Sequence, residues 1–233
     1  MLRIRRRIGY LPDVPAFYGW MNGREYLTFV GEFFGIPKNV LTGRVNSLLE
    51  LAGLAEVKTH LRGYSRGMKQ RLGVVQALVN EPELLFLDEP TSALDPIGRR
   101  EILEMILSLR GRTTVFLSTH ILNDVERVCD TVAILNRGRL VTEENLDSLK
   151  AKYVQPVFLL EIDDTPSELE TKLAQAPWVV SHTREDKLLR VVTTDLLSGQ
   201  RELPRLVAES ALPLRSFQVL EPTLEEIFVK EVQ

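Results

Sequence analysis

The chain has 233 residues, of which 44% are hydrophobic and 26% charged, enough to bury one or two cores and incompatible with a disordered or collagenous chain. With 29 Lys and Arg against 32 Asp and Glu the formal charge is -3, which lacks the broad positive field of a dedicated DNA or RNA binder, so no nucleic-acid partner is expected. The single cysteine, Cys129, excludes an intramolecular disulfide, and no short-spaced Cys/His cluster offers a zinc site. A reducing, cytosolic compartment and a buried Cys129 thiol are the expectations.

In chain order, Met1-Leu2-Arg3-Ile4-Arg5-Arg6-Arg7 has the charge of a signal-peptide n-region, but Ile8-Gly9-Tyr10-Leu11-Pro12-Asp13 follows in place of an apolar h-region. No run approaches the ~18 to 20 apolar residues of a membrane span. From Gly23 to about Leu54, Tyr26, Leu27, Val30, Phe33, Val45, Leu48 and Leu49 recur at helical spacing, and Gly35-Ile36-Pro37 breaks the segment into at least two helices. Another helix is expected after Tyr64-Ser65-Arg66-Gly67, through Leu72, Val75 and Leu78, closing before Glu81-Pro82.

The period then changes. Leu84-Leu85-Phe86-Leu87 is a continuous apolar run suited to a strand buried on both faces. A helix over 97–109, a strand over 113–118, a helix over 121–128 and a strand over 131–135 complete the alternation of a parallel α/β sheet. Asn136-Arg137-Gly138 has the turn chemistry of a hairpin. Polar composition around Lys150-Ala151-Lys152 suggests a boundary, giving domains of 1–150 and 153–233. In the second, strands over 157–162, 178–183, 187–193 and 214–220 and helices over 166–175 and 200–210 have the order of a split βαβ unit, and a terminal helix follows Pro222. Thr165-Pro166-Ser167-Glu168 is a strong helix start.

Chemistry is suggested by Asp88-Glu89-Pro90, two adjacent carboxylates at the C-terminal end of a strand, where open α/β sheets bind ligands. A nucleotide-bound Mg²⁺ would offset their charge, with one acid near the metal and the other free to activate water. The plainer alternative is an acid pair that caps the next helix. Ser65-Arg66-Gly67-Met68 opens a helix and could present amides and a hydroxyl to an anion, or could serve as an ordinary N-cap. Ser92-Ala93-Leu94-Asp95 follows the acids, and His120 follows the strand Val115-Phe116-Leu117-Ser118. Taken alone, His120 could equally be a hydrogen-bonded structural residue.

In this order and at these separations the residues resemble the ATP-binding-cassette (ABC) ATPases over roughly residues 4 to 145. The resemblance implies an α/β fold: a partial P-loop NTPase (ABC ATPase) domain with a helical subdomain near 23–82, then a small ferredoxin-like α+β C-terminal domain. It makes Ser65, Arg66, Gly67 and Met68 the signature motif, Asp88 the Walker B aspartate near Mg²⁺, Glu89 the catalytic glutamate, Asp95 part of the D-loop and His120 the switch histidine. Ile8 to Asp13 is similar to the strand leading into the Q-loop, with Asp13 in place of the usual glutamine. Arg66 and Met68 also depart from the usual Leu-Ser-Gly-Gly-Gln form. ATP and Mg²⁺ are the implied cofactors. The implied partners are an integral-membrane permease and a second ABC ATPase subunit, as homodimer or heterodimer, and the implied location is cytoplasmic, peripheral on the inner face of the cell membrane.

The phosphate-cradling G-x-x-x-x-G-K-[ST] loop is not found in these residues: none of the eight lysines follows a glycine. Either the chain is an N-terminally shortened reading of a longer protein, or it is a short subunit lending its signature face to an intact ATPase. The first is the expectation, since Glu89 and His120, which only hydrolysis requires, are both present. Tyr64 to Arg71 and the C-terminal Glu221-Pro222-Thr223-Leu224-Glu225-Glu226 look most like the ATPase subunits of bacterial ABC-2-type drug exporters. Soluble relatives acting on ribosomes or DNA are a third reading, for which the acidic balance offers nothing.

Overall fold

The computed structural model describes residues 4, 6–162, 167–210 and 212–232. The chain divides into two compact units, Met1–Cys129 and Asp130–Gln233. Composition places a boundary near Lys150; the packing groups the hairpin and helix before it with the C-terminal strands.

The first unit is built on a parallel sheet of β1 (Ile8–Leu11), β2 (Leu84–Asp88) and β3 (Thr114–Ser118), in the order β1-β2-β3. Register aligns Gly9 with Leu85 and Val115, and Asp88 with Ser118. Contrary to the expectation for β2, the described residues pack only one sheet face. Leu11, Leu85 and Leu87 point into the core, whereas on the other face Tyr10 and Phe116 are 55% and 56% exposed and Phe116 touches the Phe86 ring. A continuous apolar run cannot distinguish one covered face from two, because both place large side chains at every position.

The helical segment forms as its apolar period requires. Helix α1 (Gly23–Phe33) starts at a capping box: the Asn22 side chain accepts from the Glu25 N–H at 3.0 Å and the Glu25 carboxylate accepts from the Asn22 N–H at 2.9 Å. It ends at Gly35, whose φ of 74° is the left-handed conformation a helix stop favours. Helix α2 (Lys38–Leu51) follows Pro37, and α3 (Arg66–Ala77) follows the short 3₁₀ turn Leu61–Gly63. Leu27, Leu41, Leu49 and Leu72 are fully buried among them, each contributing roughly 1.5–3 kcal/mol. A Cβ on Gly9 would lie 2.1 Å from the Ala77 carbonyl oxygen, so glycine is what lets the end of α3 lie directly on β1. Helices α4 (Pro96–Ser108) and α5 (Leu122–Val128) complete the unit. Cys129 is half-buried rather than fully enclosed, because α5 ends just before it.

In the second unit, β4 (Thr131–Asn136) and β5 (Arg139–Asn145) form the expected hairpin. Arg137 and Gly138 have successive φ values of 50° and 76°, the pattern of a type I′ turn whose twist matches the strands. Helix α6 (Leu146–Tyr153) is capped by Asn145. Strands β6 (Val157–Ile162), β7 (Val179–Glu185), β8 (Leu188–Thr193) and β9 (Leu214–Val219) form an antiparallel sheet in the order β7-β8-β6-β9, the split βαβ arrangement read from the sequence. Leu169 and Leu173 of α7 (Ser167–Gln175) and Leu203 and Val207 of α8 (Leu196–Glu209) share a core with Phe158, Leu160, Leu189 and Val191. Helix α8 starts at Leu196, not near 200, because the Asp195 carboxylate accepts from the Ser198 N–H at 2.8 Å and caps it; Pro204 is accommodated inside it. The helix start at Thr165 and Pro166 lies outside the described residues. Helix α9 (Leu224–Val232) begins at a Thr223–Glu226 capping box. Among the described residues no helix is long and apolar enough to cross a membrane.

Candidate functional site

The C-terminal ends of β2 and β3 bring five polar side chains together. Parallel pairing sets Asp88 opposite Ser118, whose hydroxyl donates to Asp88 Oδ1 at 2.6 Å. The chain then turns sharply: Glu89 has φ of 45°, a left-handed conformation costly for a residue with a Cβ. Its N–H donates to the Ser118 carbonyl at 2.9 Å, which extends the strand pairing by one bond and fixes the turn. The Glu89 carboxylate is thereby delivered to the loop after β3. Its Oε1 accepts from the His120 N–H at 3.0 Å and lies 2.8 Å from His120 Nδ1, and its Oε2 accepts from the Thr119 hydroxyl at 3.4 Å. A carboxylate only accepts, so Nδ1 is the donor to it and Nε2 remains free to face a ligand. Glu89 is 24% exposed and His120 74%, so the pair sits at the surface, within reach of water.

A second set lies where α3 and α4 begin. Ser65 Oγ accepts from the Met68 N–H at 3.2 Å, so the ordinary capping role is filled, and Asp95 Oδ1 caps α4 by accepting from the Gly98 N–H at 2.7 Å. Ser65, Arg66, Gly67 and Met68 form one wall of a cleft of about 360 Å³; Leu94 and Asp95 are among its other lining residues. A Cβ on Gly67 would meet nothing within 4 Å, so packing inside this unit does not require glycine there. Arg71, one turn further along α3, reaches Glu101 at 3.5 Å in the same cleft, and its buried Nε has no hydrogen-bond partner among the described residues.

Asp13 is exposed in the loop after β1 and, among the described residues, is joined to neither set by a hydrogen bond or ion pair. The same loop leads into aromatic residues absent from the sequence-based site: Tyr18 contacts the rings of Trp20, Tyr26 and Phe29, and Trp20 and Phe33 are 68% and 86% exposed. Also missed was a buried cluster behind the first set, in which Thr91 and Arg99 both donate to Asp124. An acid within an otherwise amphipathic helix was the only signal of it.

The residues suit a cation that brings most of its own ligands. Asp88 Oδ2 has no protein partner among the described residues, and carboxylate and hydroxyl oxygens are hard donors appropriate to Mg²⁺. Those residues hold no cluster of three His, Cys, Asp or Glu side chains able to cage a metal unaided.

Two family models match. The one described as ABC transporter covers residues 1–92, and the one described as ATP-binding protein DrrA1-3-like, C-terminal domain covers 145–232. The chain is 39% identical over 230 residues to an uncharacterized ABC transporter ATP-binding protein, YxlF, of Bacillus subtilis, spanning 98% of this chain and 77% of that protein. It is 35% identical to the bacitracin transport ATP-binding protein BcrA of Bacillus licheniformis, over 97% of this chain and 73% of BcrA. A solved structure titled as the ATP binding subunit of an ABC transporter superposes with a TM-score of 0.56 at 31% identity, covering 64% of this chain and 63% of that one. The chain thus spans less than two thirds of that solved protein.

Proposed function

Because the chain belongs to the ATP-binding subunits of ABC transporters, of the DrrA and BcrA drug-exporter type, we propose that it couples ATP hydrolysis to export through a separate membrane permease. The observation that carries the reading is the carboxylate of Glu89 held on the backbone and ring of His120 at the ends of β2 and β3. Such an arrangement positions one acceptor for a proton of an attacking water and one donor for a phosphate oxygen.

Each residue has a task in this reading. Asp88, oriented by Ser118, would hold Mg²⁺, directly or through water; the ion would neutralise phosphate charge when bound. Glu89 orients and deprotonates water, and Nε2 of His120 faces the terminal phosphate. Ser65 and the Gly67 amide would meet the nucleotide of a second subunit. The open space around Gly67 supports this, since none of the described residues of the unit comes within 4 Å of a Cβ placed there. Arg66 adds a positive charge at that wall. Asp95 would adjoin the same subunit boundary, and Asp13 would approach Mg²⁺ or its waters. The exposed rings of Tyr18, Trp20 and Phe33 offer the permease an apolar docking surface on the helical segment. The subunit would then sit in the cytoplasm against the inner face of the membrane.

The reading is tested on the chain extended by any upstream coding sequence: ATPase activity that disappears on Glu89→Gln supports it, and activity indifferent to Glu89→Gln removes Glu89 from its role.

A further inference from the structure

We propose that Asp124 is a positioning residue that locks the Glu89 turn, the Asp95 helix and the His120 loop into one unit; this rests on the hydrolytic reading above. Asp124 is 2% exposed and Thr91 1%. The Thr91 hydroxyl donates to Asp124 Oδ2 at 2.6 Å and Arg99 Nε donates to Oδ1 at 2.6 Å. A buried carboxylate is costly unless charge and hydrogen bonds compensate it, and here both oxygens are occupied by partners from two other segments.

The segments are those that carry the chemistry. Thr91 is two residues beyond Glu89, in a turn where the Ser92 N–H donates to the Glu89 carbonyl at 3.1 Å. Arg99 lies on α4, whose first turn Asp95 caps, and the Arg99 N–H donates to the Asp95 carbonyl at 2.9 Å. Asp124 lies in the first turn of α5, four residues after His120, with its N–H on the Ile121 carbonyl at 2.9 Å. Three segments that must hold three side chains in fixed relation therefore meet at one carboxylate. None of the cluster's hydrogen bonds involves Glu89 or His120 side chains, so its effect passes through the backbone. Glu89 needs such an anchor: its left-handed turn relaxes unless neighbouring contacts hold it.

The test compares Thr91→Val, which keeps the shape and removes the hydroxyl, with Thr91→Ser, which keeps the hydroxyl. In the chain extended by any upstream coding sequence, Thr91→Val should lower kcat about 10- to 100-fold with KM for ATP unchanged, and Thr91→Ser should restore it. Independently of activity, amide hydrogen exchange on the 233-residue chain should speed up at Glu89 and His120 in Thr91→Val and not in Thr91→Ser. Unaltered exchange and kcat in Thr91→Val overturn the proposal, as does a uniform rise in exchange that also reaches α1 and α2, which marks a purely structural role. Absence of ATPase activity in the unsubstituted extended chain overturns the hydrolytic reading instead, and exchange then decides the clamp alone.

Discussion

A single oxygen of Glu89 receives both the backbone N–H of His120 at 3.0 Å and its ring Nδ1 at 2.8 Å. The two bonds divide the roles of residue 120 between main chain and side chain. Removing the ring leaves the N–H to hold Glu89, so His120→Ala isolates the imidazole's contribution. With the side chain largely exposed, the thermal midpoint should hardly move, while kcat for ATP falls about 10²- to 10³-fold, the effect of losing one aligned donor. Steady-state phosphate release and a melting curve on the same preparation check both halves.

Asp95 combines a capping role with a proposed role at the subunit boundary, and two substitutions separate them. Asparagine caps as well as aspartate, whereas alanine removes the bond to the Gly98 N–H and costs about 0.5–2 kcal/mol. Asp95→Asn should melt with the unsubstituted protein yet hydrolyse ATP several-fold more slowly, and Asp95→Ala should lose on both measures. Equal activity in Asp95→Asn would restrict Asp95 to capping.

The aromatic surface predicts a loss of association without a loss of fold. Trp20→Ser and Phe33→Ser remove side chains that are mostly in water, so stability should change by less than about 0.5 kcal/mol. If the proposed docking surface holds, co-purification with a co-expressed permease partner should drop sharply, with the ATPase rate of the detached subunit unaltered. Retained co-purification in the double variant places the docking surface elsewhere.

In the second unit, the backbone N–H and then the hydroxyl of Ser198 hold the Asp195 carboxyl below its ordinary range. A folded value below the unfolded one of about 3.9 means that the stabilisation is complete above that pH and is lost as pH falls through the folded value. Asp195→Asn should therefore lack the charge-dependent part of that stabilisation near neutrality and converge with the parent on acidification. Fluorescence of Trp178, which packs against this unit's core, follows the transition.

Much of this arrangement was legible because its signals are local. Asp88 and Glu89 follow an apolar run, Arg137-Gly138 can adopt two left-handed residues in succession, and the C-terminal strand order follows from alternating segments. What escaped depends on distance. Thr91, Arg99 and Asp124 belong to three segments, and each reads by itself as a residue of a turn or an amphipathic helix; only tertiary packing reveals that they share a carboxylate. The open sheet face escaped for a different reason: Phe86 and Phe116 have the same hydrophobicity covered or uncovered. The division at Cys129 is likewise a property of packing, which a composition shift near Lys150 does not report.

If Glu89 acts as proposed, its left-handed backbone sets thermal robustness against turnover. Glycine adopts a φ of 45° without the steric penalty of about 1–3 kcal/mol that other residues pay, so Glu89→Gly would release strain at the cost of the carboxylate. Laboratory selection for heat resistance alone would favour that exchange and yield a sturdier protein without the carboxylate proposed to activate water. Stabilisation of this subunit should leave position 89 fixed and draw on sites remote from the strand ends.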